Sequence, residues 1–327
     1  MVMKAIRYHA YGPPEVLRLE DTPTPEVGDD DVLIRVRAAS VNPLDWHNMR
    51  GKPYVARLDM GLFRPKMSAL GGDLAGTVEA VGGNVTRFRP GDEVYGGCGT
   101  DLTLGTTGLA EYACLRQDAM LRKIPAGLTF EQAAAVPVAA LSALQPLRDK
   151  GRVRAGHRVL VNGAAGGVGT FAIQIAKALG AAEVTGVCST PNTELVRSLG
   201  ADHVIDYTKE DYTRGGRRYD VLLDLVANHG VIANRRVLAP GGVMVECAPS
   251  PGDWLGPVLG MAKTALTPRV AFFLCRVSGD DLAAVSRLIE AGKVKPVIDR
   301  TYPLDEAAEA IRYLERGHAR GKVVVTV

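Results

Sequence analysis

Up to about residue 120, apolar positions come in short runs broken by glycine and proline. Asp31-Val-Leu-Ile-Arg-Val-Arg-Ala-Ala-Ser40 is β-branched and partly alternating, the pattern of a half-buried strand. The opening Met1-Val-Met-Lys-Ala-Ile-Arg-Tyr8 alternates in the same way. Residues 76–82, 88–95 (which contain a Pro90-Gly-Asp turn) and 108–115 add further strands. Many short strands with no long helix between them predict a barrel-like β domain.

The period then changes. Thr129 and Gln132, three residues apart, form a capping box at a helix start, and a second helix is predicted over 137–148. Strands at 157–162, 182–188, 203–206, 221–224 and 243–246 follow, with helices at 169–179 and 193–199 ended by Gly180 and Gly200. Strands alternating with helices predict a parallel doubly wound sheet, and their apolar character fits burial on both faces. Residues 250–278 leave helix and strand both open. Amphipathic helices at 282–291 and 305–316 and a strand at 322–327 close the pattern. The chain is expected to leave a β domain (1–125 and 270–327), build the α/β domain (126–269), and return.

The strongest chemical signal is Val161-Asn-Gly-Ala-Ala-Gly-Gly-Val-Gly-Thr170, between a predicted strand and helix. In the pattern Ala164-x-Gly166-x-x-Gly169, Gly166 and Gly167 would let the backbone approach a pyrophosphate. Val168 opens the helix and Gly169 allows helix and strand to pack closely. The helix N-terminus offers N–H groups and a positive dipole end to the anion. An NAD site usually ends its second strand with an acid on the ribose 2′-hydroxyl. Here the strand ends Cys188-Ser189-Thr190-Pro191, where two hydroxyls are available to a 2′-phosphate or to N-capping of the next helix. NADPH is therefore the expected cofactor.

Composition narrows the classes. The net charge is +3 with acids and bases mixed, so no basic block marks a nucleic-acid or membrane surface. No apolar run is long enough to span a bilayer, and the N-terminus lacks a signal-peptide core, so a cytoplasmic protein is expected. Cys98, Cys114, Cys188, Cys247 and Cys275 are scattered and form no Cys-x-x-Cys pair, which predicts reduced thiols rather than disulfides or a zinc cluster. No Gly-x-Ser-x-Gly elbow points to a hydrolase.

Taken in order, these motifs resemble the zinc-free quinone oxidoreductase branch of the medium-chain dehydrogenase/reductase superfamily. The resemblance runs from Ala39-Ser-Val-Asn-Pro-Leu-Asp45 through Gly71-Gly-Asp-Leu-Ala-Gly76, the glycine loop and Gly200-Ala-Asp-His-Val-Ile-Asp-Tyr207, to Gly317-His-Ala-Arg-Gly-Lys-Val323. The chain is also similar to reticulon-interacting mitochondrial reductases, without their leader. This implies a GroES-like β-barrel domain and a Rossmann domain, with the active cleft between them and a homodimer as the assembly. Zinc alcohol dehydrogenases carry a cysteine ligand in the first of these loops and Gly-His-Glu in the next. Here Ser40 and Gly71-Gly72-Asp73 stand there, and residues 96–110 hold only Cys98. No metal is therefore expected, although His47, Asp45 and Asp73 remain conceivable ligands.

Without a Lewis acid, direct hydride transfer suits acceptors that are already electrophilic, namely quinones and enones or enoyl thioesters. A protein that binds NADPH without turnover, as a redox sensor, is the reading from another class. In the first loop, Asn42 could orient the nicotinamide ribose or the substrate oxygen, or form an Asx turn before Pro43. Trp46 could stack on a flat acceptor or wall the β domain, Tyr54 could donate its phenol O–H, and Asp45 could take part in catalysis or brace the loop. The resemblance places Ser142 near the cofactor phosphates or carboxamide, Tyr207 near the adenosine phosphate, and the main chain of Phe272 and Phe273 at the nicotinamide amide. The stretch 57–70, apolar with basic residues, is expected to set substrate choice.

Overall fold

The computed structural model describes residues 1–97, 108–247 and 267–327. Cys98, most of the 96–110 loop and most of the ambiguous 250–278 stretch lie outside them. The chain divides into two units: Met1–Val138 with Arg276–Glu290 and Pro296–Val327, and Ala139–Cys275 with Ala291–Lys295.

In the first unit, β1 (Val2–Arg7) and β2 (Arg18–Pro23) form an antiparallel pair. The main sheet begins with β3 (Asp31–Val41). Helix α1 (Pro43–Arg50) and the short α2 (Arg57–Met60) follow, then β4 (Asp73–Val81), β5 (Glu93–Gly97), β6 (Tyr112–Arg116) and β7 (Leu121–Lys123). Val32, Ile34 and Val36 of β3 pack with Leu74, Val78 and Val94 in one core. Ala39 and Val41 pack in another with Ile6, Val323 and Val325. The change of parity coincides with a register shift between Val36 and Ala38, a bulge that lets one strand serve two cores. Helix α3 (Phe130–Ala134), with the Thr129–Gln132 capping box as expected, packs on β3 and β4. It therefore belongs to this unit and not, as expected, to the second.

The second unit takes over within α4 (Pro137–Gln145). It comprises β8 (Arg158–Asn162), α5 (Gly167–Ala178), β9 (Glu183–Cys188), α6 (Thr193–Ser198), β10 (His203–Asp206), β11 (Tyr219–Asp224), α7 (Val231–Arg235), β12 (Leu238–Glu246) and β13 (Val270–Phe272). The six strands are parallel in the order β10-β9-β8-β11-β12-β13. Central strands are apolar on both faces: Val159, Leu160, Val161, Val221, Leu222 and Leu223 are all fully buried. The order reverses between β8 and β11, and the glycine loop leaves β8 at this switch point, where such sheets bind ligands.

The chain returns through α8 (Gly279–Glu290), β14 (Ile298–Pro303), α9 (Ala307–Glu315) and β15 (Lys322–Thr326). Residues Ala291–Lys295 stay with the second unit because the Gln174 side chain holds the backbone of Lys295 in both directions. The first unit's sheet then runs β14-β15-β3-β4-β5-β7, with β6 also paired to β3. This gives the GroES-like and Rossmann architecture that the sequence predicts. Among the described residues no helix is long and apolar enough to cross a membrane.

Candidate active site

The glycine loop folds as a strand-to-helix turn. Ala164 N–H, like Gly163 N–H, donates back to Val187 of β9, and Gly166 N–H closes the turn on Gly163. Helix α5 starts at Gly167, two residues earlier than predicted. The glycines divide the work. A Cβ on Gly169 would meet Gly163 O at 2.1 Å and the Ala164 carbonyl carbon at 2.7 Å, so only glycine lets α5 lie this close to the loop. Gly166 has ordinary φ −77° and ψ 174°, and a Cβ there would come no nearer than 3.5 Å to Gly163 O. Neither strain nor crowding demands glycine at 166, and its bare surface leaves room for close approach of a ligand. With Val168 in the first turn of α5, where N–H groups have no helical acceptor, the loop fits a dinucleotide pyrophosphate.

At the end of β9, Ser189 and Thr190 have other company than expected. Strands β9 and β10 are in register with Cys188 opposite Asp206. Thr190 Oγ donates to Asp206 Oδ2 at 2.5 Å, and Thr208 donates to Oδ1 through its hydroxyl at 2.7 Å and its N–H at 3.1 Å. These bonds, the Thr190 hydroxyl first, hold the Asp206 carboxyl well below its ordinary pKa. An acid therefore does stand beside the second strand's end, one strand over, and its carboxylate accepts the Thr190 hydroxyl. Ser189 accepts from Asn192 Nδ2 at 3.1 Å, and Tyr207 is half exposed next to Asp206.

In the first unit, the Asn42–Asp45 loop opens an unexpected helix. Asp45 is the N3 residue of a capping box on α1, its Oδ2 accepting Asn42 N–H at 2.7 Å, while Oδ1 accepts Gly71 N–H at 2.9 Å. Asp45 thus ties the two loops together and is buried; the structure gives it bracing rather than catalysis. Burial lifts its carboxyl to about 6, against the lowering pull of those N–H groups. The folded protein holds this proton more tightly than the unfolded chain, so the contribution to stability is full below about pH 4 and is lost as pH rises through about 6. Asp45→Asn is expected to remove that decline. Urea midpoints of both proteins across this range check it, and an unchanged difference between the pH extremes would refute it.

Beneath α1 lies a network that sequence spacing did not suggest. Asp73 Oδ2 accepts the Ser40 hydroxyl and Asn42 Nδ2, each at 2.8 Å, and stands 3.3 Å from Lys322 Nζ. Lys322 also donates to Asn42 Oδ1 at 2.5 Å and to Val41 O at 3.3 Å. Asp73 Oδ1 accepts Val138 N–H in the first turn of α4, the helix that carries Ser142. Both ends of the Asn42 carboxamide are engaged and the residue is 5% exposed, so it is a strut of this network and not free to orient substrate. The two loops that supply ligands in zinc enzymes here converge on a buried ion pair. The Ser40 hydroxyl is spent on Asp73, an ammonium stands beside the Asp73 carboxylate, and both Asp45 oxygens hold backbone N–H groups, so these residues do not fit a zinc ion. Among the described residues no group of His, Cys, Asp and Glu could hold a metal.

Of the remaining candidates, Trp46 is half-buried on the core beneath α1 and stacks on His47 with ring centroids 3.7 Å apart. Tyr54 is 53% exposed, with the Arg57 guanidinium 4.9 Å from its ring centre. After it, Leu58, Leu62, Phe63 and Met67 are all exposed. In the second unit, Ser142 is half-buried on α4 and Phe272 ends β13. Phe273 donates its N–H to Glu246 O at 2.9 Å, so that one main-chain group of the 272–273 pair is already engaged in the sheet.

Comparison with known proteins is consistent with this geometry. The family model "Alcohol dehydrogenase GroES-like domain" matches residues 28–126 and "Zinc-binding dehydrogenase" matches 199–325. The chain is 38% identical, over 99% of its length and 79% of the relative's, to the chloroplastic NADPH-dependent alkenal/one oxidoreductase of Arabidopsis thaliana. It is likewise 38% identical, over 100% of its length and 89% of the relative's, to a mitochondrial NAD(P)H oxidoreductase of Mus musculus. The quinone oxidoreductase structure from Coxiella burnetii matches with a TM-score of 0.86 and 34% identity, covering 100% of both chains. The chain belongs to the quinone oxidoreductase branch of the medium-chain dehydrogenase/reductase superfamily.

Proposed function

We propose that the protein is a zinc-independent, NADPH-dependent oxidoreductase that passes a hydride to a quinone. The observation that carries this reading is the pairing of an intact dinucleotide loop with a buried Lys322–Asp73 ion pair among the loop residues where zinc relatives bind metal. Bound NADPH would supply the hydride. The chain's own share is positioning: α5 and the loop would hold the pyrophosphate, and the Asp45 and Asp73 bonds fix α1. Tyr54, which is 53% exposed, would donate its phenol O–H to the acceptor oxygen, where negative charge develops. With no Lewis acid to polarise it, the acceptor must be electrophilic already. The alkenal/one activity in the name of the Arabidopsis relative supports a second reading, reduction of an enone double bond by the same hydride geometry.

The test is NADPH oxidation against parallel panels of quinones and 2-enones, with and without prior chelation. Quinone turnover that survives chelation is the expected result. Preferential enone turnover would move the assignment to double-bond reduction. Activity lost to the chelator and restored by zinc would overturn zinc independence. No turnover with tight NADPH binding would leave the redox-sensor reading in place.

A further inference from the structure

The end of β9 presents a 2′-phosphate with a problem. The segment Ser189-Thr190-Pro191-Asn192 carries no cation, and the ionised Asp206 lies alongside. Arg197 on the following helix is engaged with Glu194 at 2.6 Å. Yet the turn after β10 brings one cation to the same place. Lys209 Nζ lies 3.2 Å from Asp206 Oδ2, the oxygen that also takes the Thr190 hydroxyl. Segments 189–190 and 206–209 are thus knotted together at the ends of adjacent parallel strands.

We propose that Lys209 is the specificity-determining cation of this protein, pairing with the 2′-phosphate of NADPH from its station on Asp206; this rests on the NADPH reading above. The two partners differ in a way that suits the role. Asp206 is buried and fixed by three hydrogen bonds from Thr190 and Thr208, so it stays where it is and cannot turn outward to a ribose diol. The Lys209 side chain is 68% exposed, with two further N–H donors and a flexible stem. An exposed pair of this kind is held weakly, and an incoming dianionic phosphate competes well for the ammonium. Asp206 then acts as a positioning residue: it keeps the ammonium over the strand end in the free protein and anchors the Thr190 turn. NADH, which lacks the phosphate, gains nothing from Lys209.

The experiment is equilibrium binding of NADPH and NADH, by nicotinamide fluorescence and calorimetry, to the wild type, Lys209→Gln and Lys209→Arg. Wild type is expected to bind NADPH more tightly. Lys209→Gln should weaken NADPH by about tenfold and leave NADH within about twofold, while Lys209→Arg keeps the preference. The salt dependence of NADPH binding should become shallower in Lys209→Gln. If wild type shows no preference for NADPH, the NADPH reading fails and this assignment with it. If wild type prefers NADPH and Lys209→Gln retains the preference, or loses both cofactors equally, the assignment alone is overturned.

Discussion

Lys322→Met is expected to destabilise the protein by about 3–5 kcal/mol, a large part of the roughly 5–15 kcal/mol that holds a domain together. Lys322 is 4% exposed and Asp73 fully buried. Removing the ammonium leaves the carboxylate with three neutral donors, Ser40, Asn42 and the Val138 N–H, and no countercharge. Asn42 also loses the donor to its Oδ1, so the entry to α1 loosens. Denaturant midpoints measure the effect. The companion variant Lys322→Met with Asp73→Asn should recover much of the loss, because a neutral pair has no charge to leave stranded. A single variant within about 1 kcal/mol of wild type would mean that water reaches the site and the pair is not load-sharing.

Gly169→Ala is expected to weaken nicotinamide cofactor binding by about a hundredfold and to cost about 1–3 kcal/mol of stability. Its methyl would lie 2.1 Å from Gly163 O and 2.7 Å from the Ala164 carbonyl carbon. Both are backbone atoms, so the loop itself must move. Gly166→Ala separates the two effects. Its backbone is extended and its Cβ site is uncrowded, so the urea midpoint should hold while binding falls. Equal binding by wild type and Gly166→Ala would show that the pyrophosphate does not pass over this residue.

The second unit was legible because a parallel sheet covered on both faces writes its strands as continuous apolar runs, as in Val159–Val161 and Val221–Leu223. Helix α1 was not, because Pro43-Leu-Asp-Trp-His-Asn-Met-Arg50 lacks a clean apolar stripe. Its signal was the Asn42-x-x-Asp45 capping box, an acidic variant of the usual pattern. Asp206 was missed for a different reason. Reading β9 alone shows no acid at its end, and only the parallel register with β10 brings one there. Lys322 sits 280 positions beyond Asn42, a separation at which spacing carries no information.

The closing strand also governs when the molecule can complete itself. Strand β15 lies between β14 and β3 in the first unit's sheet, pairing Val323 with Val41 and Thr326 with Ala38. Ribosomal synthesis delivers these partners at nearly opposite ends of the chain. The Ala139–Cys275 segment, by contrast, has its six strands and their core within one contiguous stretch. During translation the sheet that builds the nucleotide loop can therefore settle first, while β3 waits with an open edge for β15. Until then Ala39 and Val41, the residues that flank the future ion pair's partner Ser40, lack the strand that covers their edge in the folded sheet.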